Sequence, residues 1–130
     1  MVKTLKIIVL AIFLLLPSNI QAQKRKKHNP CKNALTMSEM RDCASKEYEK
    51  ADAELNKVYK ELMERLESEV AKNNLKESEQ IWINFRDSNC KFKSDYEEGG
   101  TLPRLEYVIC RTDMTKGRSK ELLEELKHYK

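Results

Sequence analysis

Between Tyr48 and Phe92 the chain carries two amphipathic runs in close succession. The first holds Tyr48, Asp52, Leu55, Asn56, Tyr59, Leu62 and Leu66, and the second holds Leu75, Trp82, Phe85, Arg86, Asn89 and Phe92. Steps of three and four place each set on one side of a helix. Ala71-Lys72-Asn73-Asn74 is a short polar connector between them, so the two helices are expected to fold back antiparallel and face each other. Both stripes are interrupted by polar residues, Asp52 and Asn56 in the first and Arg86, with Gln80 beside it, in the second. A hairpin held by apolar packing alone needs none of these four. A buried polar group without a partner costs roughly 1 to 3 kcal/mol. The four are therefore expected to hydrogen-bond one another and fix the register of the hairpin.

The flanking punctuation completes an all-α reading. Thr36 and Glu39 have the spacing of a capping box, so the first helix is expected from about Met37 to Val70. The second is expected from about Leu75 to Tyr96. Gly99, Gly100 and Pro103 then break the chain, with Pro103 suited to the first turn of the next helix. Leu105, Val108, Ile109, Leu122, Leu123 and Leu126 keep helical spacing, but the polar stretch Thr112 to Gly117 divides them. The fold is expected to be a small antiparallel bundle of three helices, or of four if the last one splits near Gly117. No strand-like alternation occurs.

The N-terminus reads as an address. Lys3 and Lys6 precede an apolar run, Ile7 to Leu16, that is too short for the roughly 20 residues of a membrane span and is followed by small and polar residues. Residues 1–22 are expected to be a signal peptide cleaved near Ala22, sending the protein to the periplasm or the medium. Residues 23–30, with Lys24-Arg25-Lys26-Lys27, are expected to be a basic disordered arm, and residues 31–130 the helical domain. The net charge of +4 therefore belongs to the leader and the arm, leaving the body at about −2. Nucleic-acid binding, which needs basic residues and aromatics clustered on a folded surface, is not supported. Loose attachment of the arm to an anionic envelope surface is compatible with its charge.

Cys31, Cys43, Cys90 and Cys110 are an even set in a small exported domain, and two disulfides are the natural reading. None of them has the short spacing of a zinc finger or ribbon, and His28 and His128 lie near opposite chain ends, so no metal or cofactor is indicated. Of the three connectivities, antiparallel geometry favours Cys90–Cys110, which stand on either side of the Gly99-Gly100 turn. Cys31 is left to clip the N-terminal segment to Cys43.

Taken together, Cys43-Ala44, Tyr48, Ala51-Asp52, Leu55-Asn56 and Tyr59, then Gln80, Trp82, Phe85-Arg86-Asp87 and Cys90, and finally Gly99-Gly100, Cys110, Thr115 and Arg118, resemble the LprI-like lysozyme-inhibitor domain. The resemblance runs from about Cys31 to Leu126. It implies a small exported bacterial helical protein that binds a protein partner, lysozyme or a related wall hydrolase. It also implies that Asp52, Asn56, Gln80, Arg86 and Arg118 are fold signatures, with Asp52 paired to Arg86 or Arg118. For a partner-binding element, the turn Tyr96-Glu97-Glu98-Gly99-Gly100 stands out, because its carboxylates suit a basic target. An immunity or accessory protein for another secreted toxin, or a structural envelope protein, would use the same scaffold. An enzyme is not expected. Glu67, Glu69, Glu121, Glu124 and Glu125 lie on polar helix faces without an apolar pocket to raise a pKa, and no triad-like Ser or His motif accompanies them.

Overall fold

The computed structural model describes residues 31–94 and 101–129. These form three helices, α1 (Met37–Arg65), α2 (Glu69–Ser94) and α3 (Thr101–His128), with no strand among the described residues. The leader and basic arm expected at residues 1–30 lie outside them, as does the turn at residues 96–100.

α1 begins at the expected capping box. The Thr36 hydroxyl accepts a hydrogen bond from the Glu39 N–H at 3.2 Å, and the Glu39 carboxylate accepts from the Leu35 and Thr36 N–H groups at 2.9 and 3.0 Å. Those backbone bonds, led by that from Leu35, hold the Glu39 carboxyl below its ordinary range.

The link between α1 and α2 is not Ala71–Asn74, which is helical, but residues 66–68. Ser68 decides this. Its hydroxyl accepts from the Ala71 N–H at 3.3 Å and its carbonyl from the Lys72 N–H at 3.0 Å, satisfying donors that the first turn leaves open. Glu69 adds a negative charge where the helix N-terminus favours one. Asn73 and Asn74 are only modestly poor helix formers, so a good cap upstream overrides them.

The bundle runs up, down, up, and its hub is α3. The closest backbone approach is between α1 and α3, α2 also packs on α3, and α1 and α2 make little direct backbone contact. This corrects the expectation that the first two helices face each other. On α1, Ala44, Tyr48, Ala51, Leu55, Val58, Leu62 and Leu66 step inward by fours and threes. On α3, Leu105, Val108, Thr112, Thr115, Ser119, Leu122 and Leu126 do the same without a break. Ala44, Ala51, Thr112, Thr115 and Ser119 are buried and small, which lets the two axes come close. The hydroxyls of Thr112 and Ser119 donate to the carbonyls of Val108 and Thr115, at 2.8 and 3.0 Å, so burying them leaves no donor unmet. α3 is one continuous helix through Gly117.

The two disulfides are Cys31–Cys43 and Cys90–Cys110, with Cα separations of 5.8 and 5.5 Å. They close loops of 12 and 20 residues, worth roughly 3 kcal/mol each in the chain-entropy account. They staple the end of the bundle where α1 and α3 begin. At the far end Leu55, Val58, Leu62, Leu122 and Leu126 form the apolar core, with Tyr59, Leu75 and Trp82 packed against it.

Two substitutions in α3 probe this arrangement with opposite signs. Leu122 is 2% exposed, so Leu122→Ala is expected to lower unfolding free energy by about 2 to 5 kcal/mol. Gly117 is exposed, and nothing lies within 4 Å of an added Cβ. Gly117→Ala should therefore raise stability by roughly 0.5 to 1 kcal/mol through helix propensity alone. Urea denaturation of both variants measures the pair.

Candidate functional site

The polar residues of the three inward stripes meet at mid-height of the bundle, between the disulfides and the leucines. On α2 the inward stripe is Leu75, Glu79, Trp82, Arg86, Cys90 and Ser94, again in steps of three and four. α3 contributes Tyr107, Arg111, Thr115 and Arg118, and α1 contributes Tyr48. Together they build an alternating ladder of rings and guanidinium groups. The Arg111 guanidinium lies 5.5 Å from the Tyr107 ring centre and 4.3 Å from that of Tyr48. Arg86 lies 5.8 Å from Tyr48 and 5.3 Å from Trp82, and Arg118 lies 5.8 Å from Trp82. Each such contact contributes about 0.5 to 2 kcal/mol, more as water is excluded.

Carboxylates close the ladder on its sides. Arg86 Nε donates to Asp87 Oδ1 at 2.8 Å, and Arg86 Nη1 donates to the fully buried Thr115 hydroxyl at 3.3 Å. Arg111 Nε faces the same Asp87 oxygen across 3.1 Å, an ion pair whose N–H is not aligned for a hydrogen bond. Arg118 Nε donates to Glu79 at 2.9 Å, while its other nitrogens reach Glu121 at 3.0 Å and Ser78 at 3.3 Å. Burial opposes the charge on Arg86 and Arg118, but hydrogen bonds to their carboxylates outweigh it and leave both guanidiniums held more firmly protonated than usual. The Tyr48 hydroxyl donates to Asp52 at 3.2 Å and accepts from Arg111 Nη2 at 2.6 Å, and Asn56 donates to the other Asp52 oxygen at 3.0 Å. Burial pushes the Tyr48 phenol above its ordinary value.

Of the residues singled out in the sequence, Arg86, Arg118, Asp52 and Asn56 stand at or beside this ladder. Gln80 does not. It is exposed, and the adjacent Glu79 occupies the inward position, because Glu79, Trp82, Arg86 and Cys90 share a helix face and Gln80 lies a further 100° round. No direct Asp52–Arg86 or Asp52–Arg118 pair forms. Asp87 and Glu79 take those arginines, and Asp52 reaches the ladder through Tyr48. Phe85 and Phe92, read as part of the inward stripe, are 59% and 73% exposed. Arg111, Tyr107 and Glu79 are absent from the sequence reading and Asp87 enters it only through the resemblance, although the step from Arg111 to Thr115 to Arg118 carries the same helical signal. Beside the ladder, an open groove of about 600 Å³ lies between the C-terminal half of α2 and the N-terminal half of α3, with Asp87, Lys91, Arg104 and Tyr107 among its walls.

The model of a protein family described as lysozyme inhibitor LprI matches residues 29–122. The chain belongs to the LprI family. The matched span includes both disulfides and every rung of the ladder. An uncharacterised protein of Rhizobium meliloti (strain 1021) is 29% identical over 126 residues, covering 88% of this chain and 91% of its own. No solved structure matches the chain. Among the described residues, no helix is long and apolar enough to cross a membrane.

The ladder makes two sharp predictions about this LprI-family chain. Arg86→Ala, which strands Asp87 and Thr115 and unstacks two rings, should cost on the order of 3 kcal/mol. Arg86→Lys should recover part of that, since lysine keeps the charge but neither stacks as a plane nor forks between two acceptors. Glu79→Ala should be destabilising, whereas Gln80→Ala should fall within about 0.5 kcal/mol of the parent, as exposed substitutions do. Denaturant midpoints decide between the two positions.

The second concerns alkaline pH. Tyr48 has a raised pKa in the fold, so its contribution is fully present below the ordinary tyrosine value. It declines as pH rises past that value and through the native one. Thermal melts followed upward from neutral pH should show this decline, and Tyr48→Phe should flatten it.

Proposed function

We propose that this protein is an exported inhibitor of lysozyme or a related wall hydrolase, acting by binding and not by catalysis. The observation that carries the proposal is the family match over residues 29–122 to lysozyme inhibitors. Export is supported by the signal-like pattern of residues 1–22 and by two disulfides, which persist in oxidising compartments.

An inhibitor must meet its target with little loss of freedom, because ordering a loop on binding weakens affinity. The turn at residues 96–100 is our candidate for the contact. It joins α2 to α3, and Cys90–Cys110 locks those two helices together close to it. Glu97 and Glu98 give the turn a negative edge suited to a basic hydrolase, which speeds encounter at low salt. The basic arm at Lys24-Arg25-Lys26-Lys27 would hold the protein near an anionic envelope surface, where such hydrolases act.

The test is a wall-lysis assay with a panel of lysozymes and the oxidised protein in titrated amounts. Inhibition at near-stoichiometric concentration is expected. Replacing Glu97 and Glu98 by Gln should weaken it about tenfold at low ionic strength and by less at high salt. Inhibition that ignores both replacements would move the contact elsewhere on the domain. No inhibition of any lysozyme, even with excess protein, would overturn the proposal.

A further inference from the structure

α2 has a second apolar face, roughly 140° round the helix from the one it buries. Val70, Ile81, Phe85 and Phe92 are 69%, 61%, 59% and 73% exposed. They share the outward side of the helix with Asn74, Asn84 and Ser88, and Glu77 is the charge among them. The outward side of α1 is the reverse, with Lys46, Glu49, Glu54, Lys57, Lys60 and Glu61 all exposed. Two phenylalanines and an isoleucine in a charge-depleted strip have the composition of an interface core.

We infer that this face is a homodimer interface, with α2 of two copies packed antiparallel across a two-fold axis near Phe85. A two-fold interface must be complementary to itself. This strip meets that condition in two ways. Ile81, Phe85, Ser88 and Phe92 are spaced by four, three and four, the spacing of a coiled-coil seam, and an axis at residue 84, beside Phe85, sets Ile81 and Phe85 of each copy against the same stretch of the other. Glu77 and Lys91 lie about two turns to either side of Phe85, so antiparallel pairing brings Glu77 of each copy level with Lys91 of the other. Neither residue makes an ion pair with a described residue of its own chain, and both flank the apolar strip where a partner would meet them. From Val70 to Phe92 the strip covers about 33 Å of helix, long enough for a continuous seam. The pairing uses no part of the ladder and does not depend on which hydrolase, if any, the protein inhibits.

Sedimentation equilibrium of the purified oxidised protein over roughly 1 to 100 μM tests it, since standard-size interfaces can be as weak as micromolar. A dimer is expected. Phe85→Glu and Phe92→Glu should each weaken it at least tenfold while leaving the helical circular dichroism and melting of the monomer intact. Glu77→Lys should also weaken it, and adding Lys91→Glu should restore it. Four outcomes would overturn the inference: a monomer throughout the range, a dimer indifferent to both phenylalanine replacements, a charge swap that fails to rescue, or a monomer whose Phe85 is needed instead for binding a hydrolase.

Discussion

Three arginines stacked between three aromatic rings at mid-height of a small helical bundle are the constraint on which the rest depends. Taking a guanidinium out of water is costly unless it is both paired and hydrogen-bonded. Here the pairing is divided, with Asp87 serving Arg86 and Arg111 while Glu79 and Glu121 serve Arg118. The faces of the same groups are covered by Tyr48, Tyr107 and Trp82. Arginine alone suits this position, since it is planar, weakly hydrated and forked. The arrangement draws on all three helices, so a slip of any one by a turn separates charges from partners. Its main effect is therefore on register. A well-packed apolar layer would hold the helices as strongly and specify their alignment less.

The two ends complement that middle. Where α1 and α3 begin, the bundle is closed covalently, and Cys90 sits one turn beyond Arg86 on the same stripe, so the disulfide and the ladder set a single rotation for α2. Where α1 and α3 end, leucines and valine take over, and nothing polar from the inward stripes has to be satisfied. The small hydroxyl residues of α3 join the two regimes. Thr115 is narrow enough to let α1 approach and polar enough to accept from Arg86, so one residue serves the close packing and the ladder together.

What the sequence made legible follows from how strong each local signal is. The capping box at Thr36 and Glu39, the stripe of α1 and the disulfide pairing all rest on spacing, and spacing survives folding. The role of α3 is harder to read, because Thr112, Thr115 and Ser119 look like surface residues, and only in the fold do the Thr112 and Ser119 hydroxyls bond to their own helix and the Thr115 hydroxyl to Arg86 of α2. The connector is hard to place because Asn73-Asn74 looks like a break, while the signal that wins, a single serine cap at Ser68, is small in the sequence and decisive in the backbone. Glu79 and Gln80 differ by one position, and the stripe of α2 fixes which turns inward only once Cys90 and Arg86 set the phase. Phe85 and Phe92 read inward in the sequence for a related reason: α2 is apolar on two sides, and periodicity alone does not say which side is the core.

That double-sided helix also links the two proposals. If α2 pairs antiparallel with a second copy near Phe85, its C-terminal ends point in opposite directions. Ser94 of one copy then stands on the order of 30 Å from Ser94 of the other along the seam, reckoned at 1.5 Å per residue. The segments proposed to meet the target follow Ser94 in the chain and are not part of the strip that pairs, Val70 to Phe92. On a surface crowded with hydrolase, a dimer of this shape would hold on through its second turn whenever the first released, raising residence time without any new contact. The rigidity that registers three helices around an arginine ladder would then serve a second purpose, because a dimer can bridge two targets only if the spacing between its turns does not collapse.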